Sequence, residues 1–540
     1  MPDWLEKAVF YEIYPQSFHD SNGDGIGDIQ GIIQKLEYLQ YLGINAIWIN
    51  PCFVSPFGDA GYDVSDFYQV APRYGSNDDL RQLFDEARRR GMRILLDLVA
   101  GHTSSEHAWF QASRLPLGQS TETGERNPHS DWYIWTDSIW TWNAPGLQMV
   151  IGSAERNGNY VTNFFHFQPA LNYGFANPDP AYPWQQPVDA PGPQAVRQEM
   201  KNIIKFWLDM GASGFRVDMA GSLVKNDPNG KETARLWGEI RAWLDHDYPD
   251  AVLISEWSRP ELAIPAGFHM DFLLPFASAG YRSLFRKPVS PAPSKYGWSF
   301  FDRSGRGNIR EFLDEYLPLL ALTSGKGFIA IPSGNHDTNP RLGNHREARD
   351  LEVAFIFLLT MPGVPFIYYG DEIGMVALAG LPTKEGGYER TAARTPMQWD
   401  DSANAGFSTG PASQLYLPVD SAPGRPTVAA QRADDSSLLN CVRRLIALRM
   451  AHPALGASGA FEPIHAEAGE LPFVYIRRMG GESVLVALNP AAQPCTIRLE
   501  GVLSSQQPES IYGPKNAFAR EGKDWQLTLP GISGGVYLLK

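Results

Sequence analysis

Gly214-Phe215-Arg216-Val217-Asp218-Met219-Ala220-Gly221 is the stretch on which the reading of the fold turns. Its first half reads as a short buried strand, with Phe215 and Val217 alternating with Arg216 and Asp218. Residues i and i+2 of a strand share a face, so Arg216 and Asp218 point the same way. A guanidinium beside a carboxylate favours the ionised form, so a lowered pKa is expected for Asp218. A buried structural ion pair would leave the same pattern, and the stretch alone does not separate the two readings. Three other apolar runs end in the same manner: 94–96 in Asp97, with His102 just beyond; 251–254 in Ser255-Glu256-Trp257; 328–331 in a segment reaching Asn335-His336-Asp337. Acidic residues at the C-terminal ends of several apolar strands are what a parallel β/α barrel needs to build a site.

Outward from that stretch, strands are expected at 9–14, 46–50, 93–99, 214–217, 251–256, 270–275, Phe328–Pro332 and 364–369. Helical patterns fall between most of them, at Ile29–Leu42, 77–90, 194–210, 231–245, 308–322 and 349–360. Eight strands alternating with helices predict a (β/α)8 barrel. After His102 the periodicity fails, and 104–193 is rich in Trp, Asn, Pro and Gly. That is too long for a plain loop, and reads as an irregular domain inserted after strand three, over the catalytic face. A last helix is expected at 436–450, and then short strands at 473–478, 483–488, Cys495–Leu499 and 535–539 predict a C-terminal antiparallel β-sandwich. The expected division is 1–103 and 194–452 for the barrel, 104–193 for the insertion and 453–540 for the sandwich.

With 540 residues, two or three domains are expected. A net charge of −14 argues against nucleic acid or an anionic membrane as partner. Cys52, Cys441 and Cys495 are too scattered for a zinc site or a disulfide framework. The start, Met1-Pro2-Asp3-Trp4-Leu5-Glu6, lacks the basic and apolar regions of a signal peptide, and no run is long enough to span a bilayer. A cytoplasmic protein is the expectation. In the loop 20–28, oxygen-bearing residues alternate with glycines. Asp20, Asn22, Asp24, the Ile26 carbonyl and Asp28 are therefore expected to hold a structural Ca²⁺ or Mg²⁺. A polar Gly-rich turn before a helix is the plainer reading.

Together these stretches closely resemble the α-amylase family, glycoside hydrolase family 13. The matching pieces are Asp97-Leu-Val-Ala-Gly-His102, Gly214-Phe-Arg-Val-Asp218, Glu256 after its strand, Asn335-His336-Asp337, Gly61-Tyr62-Asp63 and Gly363-Val-Pro-Phe-Ile-Tyr-Tyr-Gly370. Within the family, Arg394-Thr395-Pro396-Met397-Gln398-Trp399-Asp400 resembles the oligo-1,6-glucosidase, α-glucosidase and trehalose synthase branch. The resemblance implies a retaining glycosidase, which uses two carboxyls, one as nucleophile and one as acid/base. Asp218 takes the first role and Glu256 the second, and a raised pKa is expected for Glu256. It further implies that Asp337 stabilises the transition state, with Asp97, His102, Phe164, Arg216 and His336 around the same sugar and Tyr62 stacked beneath it. Asp59 is expected to pair with Arg394 and close the pocket beyond the terminal glucose. A small oligosaccharide substrate and no organic cofactor are implied.

The chain departs from the family at Gly101, where an Asn that helps bind a second cation is usual, and at Met219, which matches neither the 1,6-acting nor the 1,4-acting pattern. These changes leave the reaction class intact and put the linkage in question. An exo-acting retaining α-glucosidase on maltose- or isomaltose-type oligosaccharides, with transglycosylation, is the first reading. A transferase or isomerase of the trehalose synthase or sucrose-acting kind is the second. A non-catalytic sugar-binding relative is disfavoured, because all three carboxylates are present.

Overall fold

The structure, a computed structural model, describes residues 1–117, 127–142, 144–289, 292–501 and 506–539. Eight parallel strands close a barrel: β1 Phe10–Ile13, β2 Ala46–Ile49, β3 Arg93–Leu98, β4 Gly214–Val217, β5 Val252–Ser255, β6 Met270–Phe272, β7 Phe328–Pro332 and β8 Val364–Tyr368. Each pairs with the next in sequence, and β8 closes on β1. Helices cross between them; Ile29–Leu42 starts on the Asp28 side chain, which accepts from Gly31 N, and stops at Gly43 in the left-handed conformation.

The pleat explains both the core and the site. Phe10, Trp48, Leu95, Ile254, Phe272, Ala330 and Phe366 pack together inside the barrel. Their neighbours Tyr11, Ile47, Leu96, Leu253, Ile329 and Ile367 join the larger core under the helices. Two residues beyond an inward apolar residue the next one also points inward. Glu12 follows Phe10 in this way, Asp97 follows Leu95, and Glu256 follows Ile254. The charged residues are therefore a continuation of the barrel's own inward rows at its C-terminal end.

Between β3 and β4 lie a short helix, Ala108–Ser113, a two-stranded ribbon of Gln148–Val150 with Tyr160–Thr162, and the long helix Pro191–Met210. The C-terminal part has eight strands among the described residues. Ala460–His465, Phe473–Met479, Glu482–Asn489, Ser533–Leu539 and Glu509–Tyr512 form one sheet, and Cys495–Leu499, Asp524–Leu529 and Phe518–Glu521 a second. The first sheet is apolar on both faces. Val474, Ile476, Leu485 and Ala487 face the second sheet with Trp525, Leu527 and Leu529. Phe473, Tyr475, Val484, Val486 and Leu488 join the core of the barrel. That is why two of its strands read as continuous apolar runs, while Ala460–His465 and Glu509–Tyr512, half-exposed, went unread. Among the described residues no helix is long and apolar enough to cross a membrane.

Candidate active site

Three carboxylates share one guanidinium. Arg216 Nη1 meets Asp97 Oδ1 at 2.9 Å and Asp218 Oδ1 at 3.0 Å, and its Nη2 meets Glu256 Oε1 at 2.8 Å. Register makes this possible: Asp97 and Arg216 are neighbours across β3 and β4. Asp97 is held further by Tyr62 Oη and Trp48 Nε1, and Glu256 Oε2 accepts from Met219 N. Burial works against the Arg216 cation, but Asp97, Glu256 and Asp218 hold its pKa well above the usual value. The lowered pKa expected for Asp218 is not found. Burial pushes it up to about 6, outweighing Arg216, which divides its charge among three partners. Burial pushes Glu256 higher, to about 7, with Asp218 and Asp337 adding to the rise against Arg216. The two carboxyls are thus separated in the order a proton donor and an ionised partner need.

A second cluster gathers around His336 and Asp337. His336 Nδ1 lies 2.8 Å from Glu12 Oε1, and Nε2 lies 3.3 Å from Asp337 Oδ2. Burial opposes the imidazolium, but Asp337 and Glu12 push its pKa up to about 9. Asp337 Oδ1 also receives Arg390 Nη1 at 2.7 Å and Arg394 Nη2 at 2.9 Å. Burial of Asp337 is overcome by His336, Arg390 and Arg394, which hold its carboxyl well below the usual range. The expected Asp59–Arg394 contact is replaced. Arg394 turns inward, donating from Nε to the His336 carbonyl, and is buried. Asp59 instead accepts from Gln168 Nε2 at 2.8 Å and faces Arg390 Nη2 at 3.7 Å. Burial pushes Asp59 up to about 6. Its backbone is set by Asp63, whose carboxylate accepts from Gly58 N, Asp59 N and Ser55 Oγ.

These groups surround a cavity of about 560 Å³, within the range of small-molecule sites. Asp59, Tyr62, Asp218, Glu256, Asp337 and Arg390 form its polar part, and Phe164, Met219, Trp257 and Phe276 its apolar wall. Asp97, Arg216, His336 and Arg394 lie behind that lining. His102 lines the cavity, but both of its ring nitrogens are engaged: Nε2 donates to the Tyr62 carbonyl and Nδ1 accepts from Asn163. Tyr62 stacks on His336 with centroids 5.3 Å apart. Met219 is in the left-handed conformation, φ 44°. Gly101 leaves room for Asn163, whose amide nitrogen would lie 2.6 Å from a Cβ there. Lys225 Nζ joins the two sides of this corner, donating to Asn163 Oδ1 and the Ser222 carbonyl.

The loop expected to hold a cation through Asp20, Asn22, Asp24, Ile26 and Asp28 is shaped by hydrogen bonds of its own. Among the described residues, no group of three or more His, Cys, Asp or Glu side chains is placed so that it could hold a metal ion. Asp20 accepts from Asn22 N, Gly23 N, Gly25 N and Ser408 Oγ. Asp24 accepts from Ile26 N, and Asp28 binds Ser21 and caps its helix. In this arrangement the loop's carboxylates are engaged by its own N–H groups and by the Ser21 and Ser408 hydroxyls.

Sequence reasoning missed Glu12, Gln168, Arg390, Trp257 and Phe276. Glu12 had a usable signal, two residues after inward-facing Phe10. Arg390 sits one helical turn before Arg394, in the short helix Tyr388–Ala393, where no apolar periodicity marks a side chain's direction.

An acid pair on a shared arginine at the C-terminal end of a (β/α)8 barrel, with a third carboxylate in the same cavity, is an arrangement that a retaining glycosidase can use. The comparisons agree. The model of the α-amylase catalytic domain matches residues 12–458, and that of the maltogenic amylase C-terminal domain matches 461–534. The chain belongs to the α-amylase family, glycoside hydrolase family 13. It is 34% identical over 580 residues to the trehalose synthase/amylase TreS of Mycobacterium tuberculosis (strain CDC 1551 / Oshkosh), covering 98% of this chain and 89% of that protein. It is 32% identical to the oligo-1,6-glucosidase of Heyndrickxia coagulans, covering 95% of each. A mutant of the trehalulose synthase MutB solved with glucose superposes with a TM-score of 0.80 at 29% identity, over the whole of both chains.

Proposed function

We propose that the chain is a retaining α-glucosyl enzyme that takes a single glucosyl unit from the non-reducing end of short α-glucosides. Asp218, ionised above about pH 6, attacks the anomeric carbon; Glu256 gives its proton to the departing oxygen and later takes one from the incoming acceptor. Asp337, with its charge secured by His336, Arg390 and Arg394, accepts from the sugar hydroxyls and stabilises the positive charge developing on the ring. Tyr62 supplies the platform, and Asp59 and Arg390 hold the far end of the glucose. Asp97 and Arg216 act from behind the lining. The turn at 20–28 enters this reading only as a structural element.

The observation that carries the reading is the Asp59–Arg390–Asp337 chain, whose three members line the same cavity as Asp218 and Glu256. A terminal glucose fills the space it leaves, and no further sugar extends beyond. The test is the product pattern on maltooligosaccharides. Glucose with retained α configuration is expected as the first product, and oligosaccharides blocked at the non-reducing end should be inert. Efficient internal cleavage of blocked substrates would sink the closed pocket.

The apolar wall favours a second outcome of the same chemistry. Phe164, Met219, Trp257 and Phe276 line the cavity together with Asp218 and Glu256, and an apolar lining disfavours the water that would hydrolyse the covalent intermediate. Return of the leaving sugar through another hydroxyl makes an isomerase; relatives of this chain include proteins named trehalose synthase and trehalulose synthase. Time-resolved products from maltose, sucrose, isomaltose and trehalose divide the two outcomes: rearranged disaccharide ahead of free glucose marks the isomerase.

A further inference from the structure

Asp271 lies on β6, with Ser255 at the end of β5 as its register partner. Met270 and Phe272 on either side of it belong to the barrel interior, so strand alternation turns Asp271 the other way, behind the cavity. It is fully buried. Four groups of one turn donate to its carboxylate: Ser255 Oγ at 2.6 Å, Trp257 N at 3.1 Å, Ser258 N at 3.3 Å and Arg259 N at 2.7 Å. Ser258 stitches the turn to β6 a second time, donating from Oγ to the Phe272 carbonyl and accepting from Leu274 N. Its φ of 54° is left-handed, a conformation that a serine holds only where the surroundings fix it.

The same turn carries Glu256 and Trp257 on its cavity side. The Trp257 indole lies flush against Gly221, where any Cβ would collide with the ring. Glu256 is held between Arg216 Nη2 and Met219 N. Proton donor and apolar wall therefore belong to one rigid unit whose anchor is out of the substrate's reach. Burial still pushes the Asp271 carboxyl up to about 7 against all four donors. A buried carboxylate is an expensive way to shape a turn, since a neutral residue avoids the desolvation, and this one sits directly behind the acid/base.

We infer that Asp271 is a positioning residue for the acid/base step: its carboxylate fixes the 255–259 turn so that Glu256 and Trp257 meet the leaving group together. The inference rests on the reading of Glu256 as the proton donor. Misplacing a proton donor harms substrates with poor leaving groups and spares those whose leaving group departs unaided. The experiment measures kcat/KM on a disaccharide and on an activated aryl α-glucoside for wild type, Asp271→Asn, Ser255→Ala and Glu256→Gln. Asparagine keeps one acceptor oxygen but turns an N–H₂ towards Arg259 N. Asp271→Asn is expected to raise the aryl-to-disaccharide ratio about tenfold and Ser255→Ala about threefold, in the direction of Glu256→Gln. A merely structural role lowers both substrates in parallel, and that result in both variants overturns the inference. If Asp271→Asn does not fold, Ser255→Ala decides alone. Should Glu256→Gln itself show no dependence on leaving group, the reading of Glu256 falls and the role of Asp271 with it. If Glu256→Gln shows it and the other two do not, only Asp271 is overturned.

Discussion

Two sets of buried arginines in this molecule live opposite lives. Arg216, at the catalytic end of the barrel, is surrounded by Asp97, Asp218 and Glu256 and is held far above its usual pKa. Arg449 and Arg477, at the junction with the C-terminal sheets, are just as buried but meet only carbonyls. Arg449 donates to Leu359, Met361 and Gly363, and Arg477 to Thr360, Gly456, Gly459 and Ala460. Burial, with no carboxylate in contact, lowers Arg449 to about 9 and Arg477 to about 10. A carbonyl takes hydrogen bonds without titrating, so the junction pair serves as fixed stitching. Burial raises the carboxylates around Arg216, and one cation divided among three of them does not offset it, which leaves two with pKa values near neutrality. The difference teaches that burial alone does not mark a functional arginine; the chemistry of its acceptors does.

The comparison breaks most visibly if the Arg216 cluster is not reactive. Asp218→Asn is expected to lower kcat by about 10⁴-fold or more on every glucoside, measured against a protein whose melting is not impaired. Glu256→Gln should cost about 10³-fold on disaccharides but little in the first step on an activated aryl glucoside. For wild type, the acidic limb of the pH profile is expected near 6, where Asp218 protonates, and the basic limb near 7, where Glu256 loses its proton. Glu256→Gln should abolish the basic limb.

The same shifts carry a stability sign. Both folded pKa values lie above the ordinary 3.8 and 4.5. The folded protein therefore binds more protons than the unfolded chain, and stability falls as pH rises from about 4 through 7. Asp218→Asn and Glu256→Gln remove that loss and should each melt above wild type at pH 8. Lower melting of both would show that the cluster is glue, like the junction.

Arg390→Ala sharpens the comparison at intermediate size. It takes one of two arginines from Asp337 and the partner facing Asp59, and should reduce kcat/KM by about 10²-fold through both KM and kcat. The smallest catalytic effect belongs to Arg477→Met, which should leave kcat/KM within about twofold while lowering stability by about 2–4 kcal/mol through unpaired carbonyls. A changed pH profile in that variant would undo the contrast.

The sequence by itself determined the barrel, its sandwich and the meeting of Asp97, Asp218 and Glu256 around Arg216, because those depend on period-two alternation and on short spacings that the backbone translates directly. Phe215 and Val217 outward put Arg216 inward; Asp97 and Glu256 end their strands and fall in the same layer. Tertiary structure alone decided which charges meet and what their meeting does. Asp59 and Arg390 come from loops 331 residues apart in number, and no local pattern says that Arg390 rather than Arg394 faces the carboxylate. The pKa of Asp218 followed the wrong partner in the sequence: its neighbour Arg216 is visible two residues away, whereas the burial that outweighs it is contributed by every strand around it. Even the 20–28 turn obeyed this division. Its spacing of oxygens is local and legible, but the bonds that Asp20 accepts from Asn22 N, Gly23 N, Gly25 N and the distant Ser408 Oγ are settled only when the chain has folded.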